Sequence, residues 1–417
     1  MNEQASGGQK KVRIAQPDHR QIQLVVDDPG LTLPADHPAF VLWTLVSSLD
    51  LAPFLKDAKA VEGRAGRAVT SPAMKLSLWL FAISQGVGSA REIERLTKTD
   101  DAYKWLVRGM AISHHSLSRF RVGHGAALEQ LMVDVLAVLT EQGLLSLGRV
   151  AQDGTRVRAS ASAPSFRRRE SLEACREQAA LHLKAVLAEA DDPELNAVRH
   201  AARVAKARET QARVEKAIET VEQLQAKKKP KEKPARASTT DPEARVMKMP
   251  DGGFRPGYNV QLAVAGDEKG GPRTIVGLNV TNLGSDMGSV ADMIAEVARN
   301  TRVFPLLWLA DGNHARHSDI DYAARVGVCP VISVPDYENT EKASSEAVRA
   351  WHERMETEEG KRIYKSRASL VELVNAHFKD RFGIDHVLVR GAAKVKCVAL
   401  LGALAFNLLQ HASQLLA

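Results

Sequence analysis

Residues 148–160, GRVAQDGTRVRAS, alternate apolar and polar side chains and are rich in valine, the pattern of a β-strand. The next strand-like segment is ARVMKMPDGGFRPGYNVQLAVA at 244–265, a hairpin turning at Pro250-Asp251-Gly252-Gly253. Charged, helical sequence separates the two, so the first strand has to find its sheet across an insertion. Strand-like RTIVGLNVT, a helix through Met287, Val290, Met293, Ile294 and Val297, and the continuous apolar run PLLWLAD follow. Such a run suits a strand buried on both faces. The helix ARHSDIDYAARVG, the strand VCPVISVP and a helical C-terminal third complete an α/β order.

The chain before residue 143 reads as helical. Ser71-Pro72 offers an N-cap and a first-turn proline, and Ser89 and Glu92 form a capping box. Asp101 opens a short helix closed by Gly109. Ser113 precedes a long one with Leu117, Phe120, Leu128, Leu131, Val135 and Leu139 at helical spacing. Two short helices and a longer one beginning SHHSLSRFR resemble a helix-turn-helix in outline. The insertion reads as a helical hairpin turning at Asp192-Pro193-Glu194, with a heptad-like seam of Val204, Ala207, Val214, Ile218 and Val221. The basic stretch KKKPKEKPARASTT then ends it as a mobile linker. Boundaries follow at 1–35 (a partly disordered arm), 36–145 (helical), 146–163 (first part of the α/β unit), 164–240 (charged hairpin and linker) and 241–417 (the remainder).

Composition narrows the function classes. Over 417 residues, 44% hydrophobic and 26% charged, a net charge of +7 permits a nucleic-acid partner without requiring one. Eleven basic residues against five acidic ones at 201–240 carry nearly all of that excess. A solvated coiled coil and a phosphate-contacting arm explain them equally well. Three scattered cysteines argue against a disulfide framework and for a cytoplasmic protein. Apolar runs near Leu76–Ile83 and Cys397–Leu409 fall short of the roughly 20 residues of a membrane helix and read as buried helices. His114, His115 and His124 lack partners at zinc spacing, and no phosphate-binding, dinucleotide or nucleophile-elbow motif occurs, so no nucleotide cofactor is expected.

Three acidic residues fall at distinctive places in the α/β order: Asp153 inside the first strand, Asp311 at the carboxyl end of PLLWLAD, and Glu372 on a late helix. Hard divalent cations take oxygen ligands, and two of them about 4 Å apart can serve an in-line phosphoryl displacement. Plainer readings stand beside these. Asp153 next to Gly154 suits a turn, Asp311 a helix cap and Glu372 a solvated surface. Asp286 in SDMGS suits an N-cap better than a ligand.

In order along the chain, GVGSAREIERLTKTDDAYKWL, SLSRFR, AQDGTRVRASAS, DPEARVMK, RPGYNVQLAV, VTNLGSDMG, WLADGNH, Tyr364, Arg367, Glu372, Lys379 and LVRGAAKVKCVALLGALAFNL resemble the bacterial insertion-sequence transposases of the DDE class. The match spans roughly residues 36 to 410. The resemblance implies an RNase H-like mixed sheet with flanking helices, interrupted by a helical hairpin and preceded by an all-α DNA-binding region. It implies a metal-binding triad of Asp153, Asp311 and Glu372 holding two Mg²⁺ ions (or Mn²⁺ in their place). Tyr364, Arg367 and Lys379 would contact DNA near the glutamate, and Arg91, Arg95, Arg119 and Arg121 would contact terminal inverted repeats. A homodimer on double-stranded DNA, with no membrane, is expected. Two departures are visible: Asp311-Gly312-Asn313-His314 stands where the family usually has DAGY, and the Arg-to-Glu interval is one residue longer. The rival expectations are a decayed or repurposed DNA-binding copy and a coiled-coil scaffold.

Overall fold

The computed structural model describes residues 32–56, 69–189, 196–229, 232–267, 271–336 and 344–417. The expected arm, except for its last residues, and the turn at Asp192-Pro193-Glu194 lie outside them. In the N-terminal part, α1 (Pro38–Ser47) and α2 (Pro72–Ser84) pack side by side. Ser71 Oγ caps α2 by accepting the Met74 amide, and Ser89 Oγ caps α3 (Ala90–Thr99) by accepting that of Glu92. Helix α4 (Asp101–Val107) and α5 (His114–Gly123) follow, then α6 (Gly125–Glu141). The single long helix expected from Ser113 is thus two helices, bent by 68° between Gly123 and Gly125. Glycines flanking His124 weaken the helical ladder there, and the bend buries Leu117 and Phe120 together with Leu128 and Leu131.

Strand β1 (Arg149–Arg158) leads into β2 (Phe166–Arg167) and the hairpin α7 (Arg169–Ala188) and α8 (Ala197–Ala226). The hairpin has its own small core of Leu172, Val214, Ala217, Ile218 and Val221. Its outgoing stretch is not the free basic linker expected from composition. Ala235 and Ala237 join that core, and β3 (Ala237–Ser238) pairs with β2, which closes the hairpin at its base. The basic side chains lie outside this pairing, so composition alone hid the anchor.

The main sheet contains β4 (Arg245–Lys248), β5 (Phe254–Ala265), β6 (Thr274–Thr281), β7 (Leu307–Ala310) and β8 (Cys329–Ile332). Its order is β4-β5-β1-β7-β8, with β6 also on β5. β1 runs parallel to β7, which is parallel to β8, and β5 is antiparallel to β1, β4 and β6, so the sheet is mixed. Around it lie α9 (Val290–Thr301), α10 (His317–Arg325), α11 (Glu346–Glu356), α12 (Glu358–Ala376) and α13 (Ala392–Gln410).

Helix α13 packs against α2, α6 and β6, and one hydrophobic core runs through the N-terminal helices and the sheet. Among the described residues it is the one helix long and apolar enough to span a membrane, but 72% of that window is buried inside the protein. Asn407 explains its polar interruption. Its Oδ1 accepts the Ile275 amide at 2.9 Å and its Nδ2 donates to the Ile275 carbonyl at 2.8 Å. The β5–β6 register shifts beside Ile275, and the asparagine takes the place of a strand partner there.

Candidate active site

The β1–β7 ladder pairs Arg149 with Leu307 and Ala151 with Leu309. The same register carried two residues further sets Asp153 beside Asp311, across the roughly 4.8 Å that separates neighbouring strands. Asp311 lies one residue beyond β7 and its carboxylate accepts the amide of Asn313, as the cap reading expects. The Asp153 carboxylate accepts from the Gly154 amide at 2.8 Å and from Asn375 Nδ2, on α12, at 3.0 Å. Arg367, one side of the same helix, comes to 3.9 Å of it.

Burial raises the Asp153 carboxyl above its ordinary range against the pull of Arg367, and the charge of Asp311 pushes the same way. Burial would raise Asp311 too, yet its hydrogen bond and charge contact with His314 bring it down. Lys379 sits in a π-helical turn, His377–Arg381, that ends α12; burial lowers it and the charge of Asp153 opposes that. Tyr364 donates from its hydroxyl to Ser333 Oγ just past β8, and Arg367 lies 5.9 Å above its ring. Tyr364 therefore lies at the carboxyl end of β8, and Arg367 and Lys379 lie near Asp153 in the middle of β1.

Glu372 is on the same helix but exposed, bonded to neither aspartate. It precedes Asn375 by three residues, which places it about 60° around the axis and about 4.5 Å along it. Among the described residues no group of three or more His, Cys, Asp or Glu side chains is drawn together as a metal cluster. The donor chemistry still suits a hard divalent cation. Asp153, in the middle of β1, and Asp311, just past β7, fall in one row by the extended register, and the Oδ1 of Asn375, buried beside Asp153, has no hydrogen-bond partner.

Asp286 is not the N-cap expected of it. The amide of Val290 at the start of α9 goes to Asp319 Oδ2 on α10, at 3.2 Å. Asp286 instead accepts from Asn259 Nδ2 and Gln261 Nε2, both at 2.6 Å, over Gly154. No short-range sequence signal marks that role, because its partners stand on β5.

The N-terminal arginines divide. Arg91 and Arg119 are exposed, and Arg95 is exposed with a two-pronged bond to Glu92. Arg121 is buried, contrary to the expectation of a DNA contact. Its Nη1 donates to the Gly88 carbonyl at 2.7 Å, and its guanidinium lies 4.6 Å from the Trp79 ring. It ties α5 to the segment between α2 and α3. The neighbouring residues 119 and 121 point to opposite sides of the helix, which a reading of charge alone does not separate.

Two family models match the chain. Residues 31–123 match a transposase domain (DUF772), and residues 336–412 match a transposase DDE domain. The second spans Tyr364, Arg367, Glu372 and Lys379; Asp153 and Asp311 lie outside both. No curated protein and no solved structure matched.

Proposed function

We propose that this chain, which carries matches to two transposase domain models, is an insertion-sequence transposase of the DDE class that binds the terminal inverted repeats of its element and cuts and joins DNA where β7 ends beside the middle of β1. The observation that carries this reading is the shared register of Asp153 and Asp311 on adjacent parallel strands, with α12 laid across them. The strand order, with β5 antiparallel beside β1 and β7 and β8 parallel beyond it, supports an RNase H-like core.

Asp153 and Asp311 would hold divalent metal, with Glu372 joining them by turning its side chain along α12. Bound there, Mg²⁺ or Mn²⁺ supplies neutralisation of phosphate charge and activation of an attacking oxygen. Arg367 and Lys379 bring positive charge to the same edge and orient a phosphodiester for in-line attack. Hydrolysis frees a 3′-hydroxyl at the element's end, and that hydroxyl displaces an oxygen at a target phosphodiester. The exposed Arg91, Arg95 and Arg119 reach DNA from the N-terminal helices, base edges being read in the major groove and phosphates setting the register. Two ends processed together call for a homodimer on DNA, in the cytoplasm.

Glu372→Gln tests the reading. It keeps size and hydrogen bonding but removes the charge. Cleavage and strand transfer on a duplex bearing the cognate repeat should fall by several kcal/mol of barrier, roughly 10³-fold or more, with DNA binding intact. Wild-type cleavage by this variant removes Glu372 from the site.

A further inference from the structure

Where the family usually has a tyrosine, this chain has His314, and the side chain is completely buried. Its Nδ1 lies 2.7 Å from Asp311 Oδ1, and its Nε2 lies 3.3 Å from Gln261 Oε1. Gln261 is itself fixed: its Nε2 donates to Asp286 Oδ1 at 2.6 Å, and its Oε1 accepts from Gln152 Nε2 at 2.9 Å. Gln152 in turn accepts from the Trp308 indole at 3.2 Å and donates to Ser289 Oγ at 2.9 Å. Gln152, Gln261 and Trp308 are at most 1% exposed, so the chain of bonds runs through packed interior. Burying this many polar groups is tolerated only when each is satisfied, and a satisfied network is stiff.

We infer that His314 is a positioning residue for Asp311, anchored through Gln261 to Asp286, and that this relay orients the Asp311 carboxylate to receive a divalent cation. The ring holds Oδ1 from the interior side. Oδ2 is not engaged by the ring and is touched by Asn313 Nδ2 at 3.2 Å, while the Asn313 amide shares Oδ1 at 3.1 Å. Ligand carboxylates that are themselves hydrogen-bonded are already turned for binding, and loss of such partners weakens metal affinity about 10–100-fold. On this reading Asp311-Gly312-Asn313-His314 is a different support for the same carboxylate rather than a sign of decay. The inference rests on Asp311 being a metal ligand.

The test is Mn²⁺ binding to the full chain, followed by the electron paramagnetic resonance of free Mn²⁺, with cleavage assayed alongside. His314→Leu should lower Mn²⁺ affinity about tenfold or more, and added Mn²⁺ should restore cleavage. His314→Asn, which keeps an N–H donor toward Asp311, should recover most of the affinity. Gln261→Met takes away only the far partner of the ring, and should give an intermediate loss; it decides the matter if His314→Leu does not fold. Asp311→Asn is the reference. If it loses Mn²⁺ binding while the His314 and Gln261 variants bind as wild type, the relay is refuted and the assignment of Asp311 survives. If Asp311→Asn also binds as wild type, the assignment of Asp311 falls and takes the relay with it.

Discussion

Arg121 and Arg119 sit two residues apart on one helix, and the structure predicts opposite consequences for losing them. Truncating Arg121 to alanine strands the Gly88 carbonyl that its Nη1 reaches at 2.7 Å. Gly88 is half-buried, so water partly replaces the lost donor and the cost sits at the low end of that for an orphaned carbonyl, about 1 kcal/mol. The guanidinium–Trp79 contact at 4.6 Å adds about 0.5–2 kcal/mol. Against these stands the release of a buried charge, for burial draws the Arg121 guanidinium down to about 10. The net expectation is a loss of about 1–3 kcal/mol, because removing one partner of a buried polar contact outweighs the desolvation recovered. Arg119→Ala, at an exposed position, should change stability by no more than about 0.5 kcal/mol. It should weaken binding to the inverted repeat and make the slope of log affinity against log salt shallower by about one, so the deficit is largest at low salt. Urea denaturation and salt-titrated DNA binding on both variants decide between the roles. An Arg121→Ala protein that keeps its wild-type urea midpoint while losing DNA affinity would show that the residue faces DNA and that the buried placement is wrong.

Three further outcomes follow from the same geometry. Gly154→Ala should destabilise by about 1–3 kcal/mol and depress cleavage, because a Cβ there collides with Asp286 Oδ1 and Gln261 Nε2; a wild-type thermal midpoint would contradict the packing over β1. Asn407→Leu should cost about 2–5 kcal/mol in urea unfolding, since both the N–H and the C=O of Ile275 lose their partner in the core. Asp153→Asn should abolish cleavage yet melt no lower than wild type at pH 7. The folded-state carboxyl is raised above the ordinary 3.8, so its favourable contribution is complete below that pH and is lost as pH rises through the folded-state value. The advantage of the asparagine should therefore shrink on acidification, and a gap that widens toward low pH would reverse the assigned shift.

Local signals in the sequence determined the local structure. The serine caps at 71 and 89 and the hairpin at Pro250–Gly253 rest on dihedral preferences and hydrogen bonds spanning a few residues. Strand alternation likewise located Asp153, and a continuous apolar run located Asp311, in the α/β order; the parallel ladder between their strands, carried two residues beyond its last pair, puts both in one row. Tertiary structure decided everything that depends on a partner far along the chain. Charge made Arg121 resemble Arg119, but Gly88 and Trp79 bury one and leave the other to solvent. Helical spacing ran unbroken through His124, while the bend answers to a core formed with α2 and α13. A basic composition concealed Ala235 and Ala237, which belong to the hairpin's own core. Asp286 had the look of a cap until β5 supplied Asn259 and Gln261, and His314 looked like a departure until it was found between Asp311 and Gln261. Periodicity and capping are properties of a short segment, whereas burial and hydrogen-bond satisfaction exist only once distant segments have met, so no local pattern carries them.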